Sequence, residues 1–427
     1  MVERMQNDTF GLKVLNDFCH IRALLYICQS KGKTRQVINM FSTIIYNSIS
    51  RYLNRSTARV SVMLVSLFML QSLAQAQEIT IGNYTFRDGG EYQGEMFKGK
   101  PYGKGRTVFP TGDTYDGDYV KGKRQGYGVY NFRDGERYEG EWFQDQQHGS
   151  GTYYFQNNNK YVGLWFRDFQ QGQGIMYYYN GDVYDGQWHQ DLRSGFGTYT
   201  YAHGDSYQGN WENDLKEGEG TFTWANHSSY TGNWHEGMMN GKGTYVYHNG
   251  DIYIGDFSND ELHGRGIYTF NNGDRYEGQY VHSQRQGDGI FYYANGSCYN
   301  GQFRAGLKHG TGTFTAPDGT TYVGQWRDDK KSGRGKYTWA NGDIYDGEWL
   351  DGLMDGEGIL RQKDGTKFKG HFRRGEKEGL CVMETPDGVR FEGSYHRNLR
   401  DGSFVEKDRN GHVIRRGNYV NGVLQTE

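Results

Sequence analysis

The sequence predicts an all-β fold, an elongated and twisted single array of about 14–15 antiparallel β-hairpin repeats of 23 residues. Three observations carry this prediction. An aromatic anchor returns every 23 residues without insertion, at Tyr92, Tyr115, Tyr138, Tyr161, Tyr184, Tyr207, Tyr230, Tyr253, Tyr276, Tyr299, Tyr322, Tyr345, Phe368 and Phe391. Glycine stands two places after the anchor, and again eleven places after it, in all fourteen copies. Bulky residues alternate with the positions between them, the period of a strand with one packed face. A fixed short period lets each unit contact only its neighbours, so function is expected on a long repeated surface rather than in one pocket.

With the anchor as position 0, the first strand carries 0, +2 and +4. Position +4 is Trp in seven copies (Trp142, Trp165, Trp188, Trp211, Trp234, Trp326, Trp349) and Tyr, Phe or Met in the others. The second strand carries +11, +13, +15 and +17. Its +13 is Gly except in the last two copies, which have Cys381 and Phe404, and aromatics recur at +15 and +17, as in Tyr199 and Tyr201 or Tyr245 and Tyr247. An Asn-Gly or Asp-Gly turn such as Asn341-Gly342-Asp343 closes the unit, giving one hairpin per repeat. Glycine weakens a strand and marks close approach of a neighbouring group. The rings are therefore expected to lie over the glycines, in ladders along the array. The repeat anchors, among them Tyr138, Gly140, Trp142, Tyr345, Gly347 and Trp349, are read as packing residues. A lone hairpin is not stable in water, so successive hairpins must stack cooperatively.

The pattern Tyr-x-Gly-x-Trp-x-x-Gly-x-x-x-Gly-x-Gly resembles the MORN repeat (membrane occupation and recognition nexus). Tyr345-Asp346-Gly347-Glu348-Trp349-Leu350-Asp351-Gly352, followed by Gly356 and Gly358, is a close match, and the resemblance covers about residues 78–427. Half a repeat precedes the first anchor, at Tyr84-Thr85-Phe86-Arg87-Asp88-Gly89. A slipped fifteenth follows the last, with Arg415-Arg416-Gly417-Asn418-Tyr419 displaced by one residue. The resemblance implies elongated antiparallel β-sheet scaffolds that often self-associate, with phospholipid binding proposed for some. It implies no catalysis. MORN arrays precede lipid-kinase or methyltransferase domains in some proteins. Here the repeats run to within a few residues of the end of the sequence, and no such domain is expected.

Residues 1–76 read differently, as a helical or disordered leader. Phe18–Ala76 contains no Asp or Glu, and seven Lys and Arg fall between Arg22 and Arg59. An apolar run at 60–70 then leads to Ala74-Gln75-Ala76. A basic flank, a short apolar core and Ala-x-Ala describe a secretory signal peptide, with cleavage expected after Ala76. A spanning helix needs about 20 apolar residues, which Gln71 and Gln75 interrupt. The long basic stretch before the apolar run leaves three alternatives open: a translation start downstream (Met40 is a candidate), an organellar transit segment, or an uncleaved membrane anchor over 60–73. The first division is thus 1–76, and the array occupies 77–427.

Charge divides the array. Residues 78–427 hold 39 basic and 48 acidic groups, net −9, whereas 361–416 hold 14 basic and 9 acidic groups, net +5. The acidic body should repel nucleic acid and anionic headgroups. The cluster Lys363, Lys367, Lys369, Arg373, Arg374 and Lys377 is the candidate surface for an anionic partner. No catalytic, cofactor or metal constellation is evident. His148, His263 and His309 share position +10 but not in adjacent repeats. The +21 row of Asp113, Asp182, Asp205, Asp251, Asp274 and Asp343 fits tight-turn chemistry better than calcium. Cys298 and Cys381 lie more than three repeats apart, too far for a bridge, and Cys381 is expected to be a packed thiol. The functional expectation is a non-enzymatic, exported scaffold or protein-binding rod (periplasmic, cell-envelope or secreted), with a protein partner or self-association through its terminal strands. The alternatives are a membrane- or phospholipid-associated module using the basic C-terminal repeats, or a glycan- or peptide-binding aromatic groove. No cofactor, nucleic acid or small-molecule substrate is expected.

Overall fold

The computed structural model describes residues 79–425, which form 32 strands and no helix. The leader, its apolar segment and the expected cleavage after Ala76 lie outside these residues. The chain divides into two compact units, 1–133 and 134–427. The first has five strands between Ile79 and Asn131, and the second continues the same hairpin pattern from Arg137 to Gln425. Within each unit, strands pair antiparallel with their neighbours in chain order.

One repeat of the second unit defines the geometry. Val183–His189 and Leu192–Thr200 are its two strands, covering positions −1 to +5 and +8 to +16. Their register sets Tyr184 opposite Tyr199 and Gly186 opposite Gly197, and then slips so that Trp188 meets Arg193. The next seam sets Gly197 opposite Gly209 and Tyr199 opposite Tyr207. Positions +2 and +13 therefore form a row of glycine across the strands that continues to Gly370, with 0 and +15 forming the row beside it.

The glycine row exists because the anchor ring lies on it. A Cβ at Gly197 would stand 2.4 Å from the Tyr184 hydroxyl, and one at Gly186 would meet the Cα of Gly197 at 2.5 Å. The Tyr184 hydroxyl donates to the Gln187 carbonyl at 2.9 Å, a bond repeated from Tyr138 to Tyr345. Trp188 stands edge-on to Tyr184 at 5.2 Å and to Tyr161 of the preceding repeat at 5.4 Å. Its indole nitrogen donates to the Gly174 carbonyl at 3.1 Å. The expected ladder of rings over glycines is thus present, and Tyr138, Gly140, Trp142, Tyr345, Gly347 and Trp349 hold their packing places in it.

Two features differ from the expectation. The +11 glycine is not under a ring. Gly195 has φ +72°, and it sits at the register slip, where the extra residue forms a bulge. Position +17 lies just beyond the second strand and opens the tight turn, Tyr201 N–H donating to Asp205 and Gly204 N–H to Tyr201. The slipped fifteenth unit is real. A shift between Glu406 and Lys407 absorbs the displaced residue, so Gly417 faces Phe404 and Tyr419 faces Gly402.

The two exceptions at +13 explain each other's anchors. Where Cys381 and Phe404 replace glycine, the anchors are Phe368 and Phe391, which lack the hydroxyl that would meet the new side chain. Cys381 is buried, as expected of a packed thiol, and burial pushes its pKa up to about 11.

Candidate interaction surfaces

Alternation sends 0, +4, +9 and +15 to one face, here called the aromatic face, and +1, +3, +12 and +14 to the other. On the aromatic face a second ladder runs beside the anchors. Tyr199 and Tyr201 lie 4.5 Å apart, Tyr201 reaches Phe222 at 5.9 Å, Phe222 meets Trp224 at 4.6 Å, and Trp224 continues to Tyr245 at 5.1 Å. Tyr245, Tyr247, Tyr268, Phe270 and Phe291 extend it in the same way. The +4 tryptophans are closed, 4–7 % exposed, whereas Tyr199, Tyr201, Trp224 and Tyr247 are half-buried. An aromatic groove, if occupied, would therefore use +15 and +17 rather than +4.

Position +9 was not singled out from the sequence, yet it holds a cation against three rings. The Lys331 ammonium lies 5.7 Å from Tyr322, 4.3 Å from Tyr337 and 4.3 Å from Trp349. Lys216 and Lys308 repeat the arrangement, as does the Arg193 guanidinium. Burial holds the pKa of Lys216, Lys308 and Lys331 below the usual lysine value. Ring quadrupoles compensate part of that desolvation. In three other repeats +9 is Met239, Leu262 or Met354, so an apolar stem can take the same place.

Carboxylates staple consecutive repeats at both ends of the hairpins. Asp182 accepts from the Tyr199 hydroxyl at 2.7 Å and from Ala202 N–H at 2.8 Å, and Asp113 and Asp251 do the same for their next repeats. Burial opposes ionisation of Asp182, but these bonds outweigh it and hold its pKa below the ordinary value. At +7, Asp168, Asp191 and Asp214 accept the N–H of Gln147, Gln170 and Arg193. The +21 aspartates thus do more than turn chemistry. They tie one repeat to the next, and among the described residues no group of three or more His, Cys, Asp or Glu is placed to hold a metal. The His148 ring lies between Phe143 and Phe166, at 5.5 and 5.4 Å.

On the opposite face, the glycine row leaves a trough. Between Lys242 and Asn300 it is a groove of about 810 Å³, with a floor of Gly243, Gly255, Gly266, Gly278 and Gly289. Ile254, Ile267 and Ile290 form one wall, while Arg265, Gln279 and Asp288 stand along the other. The groove crosses the strands, so its long axis follows the succession of repeats.

The basic cluster is divided by the pleat. Lys367, Lys369 and Arg373 alternate along the strand Lys367–Arg373 and share the groove-side face, where Lys367 pairs with Glu384 at 3.7 Å. Lys363 and Arg374 are exposed in the turns at either end. Lys377 faces the other way, its ammonium 4.7 Å from Phe368 and 5.4 Å from Tyr395. The six residues do not form one surface.

Tandem hairpins that pack only on their neighbours and expose two repeated faces define a repeat scaffold of the protein- or membrane-binding kind. The MORN repeat profile matches thirteen consecutive units, from 92–114 to 368–390, and the chain belongs to the MORN repeat family. No curated protein matches it significantly. Among solved structures, it is similar to the SAS-4 TCP domain of Drosophila melanogaster in complex with a proline-rich motif of Ana2 (18 % identity, 36 % of this chain and 85 % of that one, TM-score 0.25). It is also similar to the TCP10 domain of Danio rerio CPAP in complex with a STIL peptide (14 % identity, 63 % and 100 %, TM-score 0.26). Likenesses of this strength say nothing about what the present chain binds.

Proposed function

We propose that the protein is an exported, non-enzymatic scaffold that binds protein partners along its repeated faces. The observation that carries this reading is the pairing of a closed interior with open rows. The Trp and anchor Tyr polar atoms bond within the array, whereas the groove and the +15/+17 ladder run across many repeats and remain accessible. The signal-like leader supports export, and Val413–Gly417, which pairs on one side only, offers an edge for self-association. Cross-linking of the tagged full chain in its own cells, followed by reciprocal capture with the purified partner, tests the binding role. N-terminal sequencing at Gln77 tests export. Failure of reciprocal capture across repeated trials would defeat the scaffold reading. A second reading, membrane association, is favoured by the shared face of Lys367, Lys369 and Arg373. Flotation of the chain with anionic but not neutral liposomes is its expected signature.

A further inference from the structure

In four successive repeats the +17 row differs from the anchor and +4 rows in its hydrogen bonding. The +4 indoles of Trp165, Trp188, Trp211, Trp234, Trp326 and Trp349 each donate to a carbonyl of the array. Among the described residues, no acceptor meets the indole nitrogen of Trp224 or the hydroxyls of Tyr178, Tyr201 and Tyr247, and none of these atoms is sealed from solvent. Half-buried rings thus carry solvent-accessible donors at the same position of four successive repeats, a run that ends at Phe270. Phenols are protonated at neutral pH, and burial pushes that of Tyr247 further up, to about 12, so these hydroxyls remain donors well into alkali.

The spacing of this row selects its occupant. Two strands per repeat, each about 4.8 Å from the next, separate equivalent residues by about 9.6 Å. The ring steps, 5.9 Å from Tyr201 to Phe222 and 4.6 Å on to Trp224, agree with that period. A polyproline II helix has three residues per turn at about 3.1 Å each, so it repeats every 9.3 Å or so. An extended β-strand, repeating every 6.6–6.8 Å or so, falls out of step after one unit. Polyproline II also leaves all its carbonyls unbonded, and proline has no N–H to satisfy. A row of donors set in aromatic rings is complementary to that chemistry.

Charge narrows it further. Residues 178–247 hold nine Asp and Glu against three Lys and Arg, net −6. We propose that the +17 row from Tyr178 to Tyr247, four successive repeats, docks a basic, proline-rich segment of a partner protein in the polyproline II conformation, one turn per hairpin. This rests on the protein-binding reading above and names the class of partner.

The test uses the full chain and two synthetic twelve-residue peptides, (Arg-Pro-Pro)4 and (Arg-Gly-Ser)4, equal in charge. Twelve residues of polyproline II span about 37 Å, or roughly four repeats. Fluorescence anisotropy at physiological salt is expected to show the proline peptide binding at least about tenfold tighter. Tyr201→Phe and Tyr247→Phe keep the ring and remove its donor, and Trp224→Phe replaces the indole by a smaller ring without one; each should weaken the proline peptide roughly three- to tenfold. Val246→Thr, on the other face, should change nothing. Equal binding of the two peptides would show a merely electrostatic surface and overturn the proposal, as would absence of binding or indifference to the three donor variants. If the peptides fail while reciprocal capture of a partner succeeds, this inference falls and the scaffold reading stands.

Discussion

Replacing Gly197 by Ala should open the array locally, and replacing Tyr184 by Phe in the same chain should restore part of what is lost. A Cβ at 197 would lie 2.4 Å from the Tyr184 hydroxyl and 2.6 Å from two ring carbons, closer than nonbonded carbons approach. The fully buried ring must swing away. It then loses its bond to Gln187 (2.9 Å) and its edge contacts with Trp188 (5.2 Å) and Trp211 (5.5 Å). Overpacking, one lost hydrogen bond and two weakened ring pairs together cost about 3–5 kcal/mol. Tyr184→Phe alone costs about 1 kcal/mol. In the double variant the hydroxyl is gone, as at Phe368 and Cys381, and the two costs should fall short of their sum by about 1–2 kcal/mol. Hydrogen exchange of amides between Val183 and Glu212 reads the local opening free energy directly. Costs that add within about 0.5 kcal/mol would refute the claim that ring and glycine are chosen together.

Asp182→Ala should cost about 1.5–3 kcal/mol at neutral pH, since it removes the acceptor of Tyr199 and Ala202. Because the folded pKa of Asp182 is depressed, that contribution is full above the ordinary carboxylate value and disappears as pH falls through the folded one. A difference between wild type and variant in urea midpoint that stays constant into acid would contradict it. Alkali should act in the opposite sense: burial raises Tyr276 and Tyr322 to about 12, so the unfolded chain ionises first and stability declines once pH passes about 10. The buried anchors' share of the tyrosinate absorbance is then expected to appear together with unfolding, after that of exposed residues such as Tyr179. Lys331→Met should change stability by less than about 1 kcal/mol, because Met239 and Met354 already serve at +9; a loss above about 2 kcal/mol in a urea titration would mean the cation–ring contacts are essential. If anionic liposomes are bound, Lys369→Glu should abolish flotation and Lys377→Met should leave it intact, since Lys377 is turned among the rings.

The period, the hairpins and the ladder of Tyr184-like anchors were legible because period-two alternation and a fixed repeat report directly on a packed face. Gly195 was misread because glycine has two uses, room for a neighbour and positive φ, and sequence does not separate them. Lys331 was overlooked for a different reason. A lysine reads as solvated until the register sets it between Tyr322, Tyr337 and Trp349. The aspartate row was visible, but its partners Tyr199 and Ala202 lie seventeen and twenty residues onward, a relation only the seam creates. Lys363–Lys377 looked like one cluster because linear proximity hides the pleat, which sends Lys369 and Lys377 to opposite sides.

The glycine row has one more consequence. Where Gly186 faces Gly197, the Tyr184 ring lies on one side of a paired backbone that carries no side chain of its own. The rings that hold the array thus meet the trough only through its backbone, at the floor glycines and the Gln279 carbonyl, and not through its wall side chains. Positions such as Ile254, Ile267 and Asp288 can drift one by one, repeat by repeat, without disturbing the stack behind them. Stability and recognition are written on opposite sides of the same strands, and a lineage can rewrite the second text while leaving the first untouched.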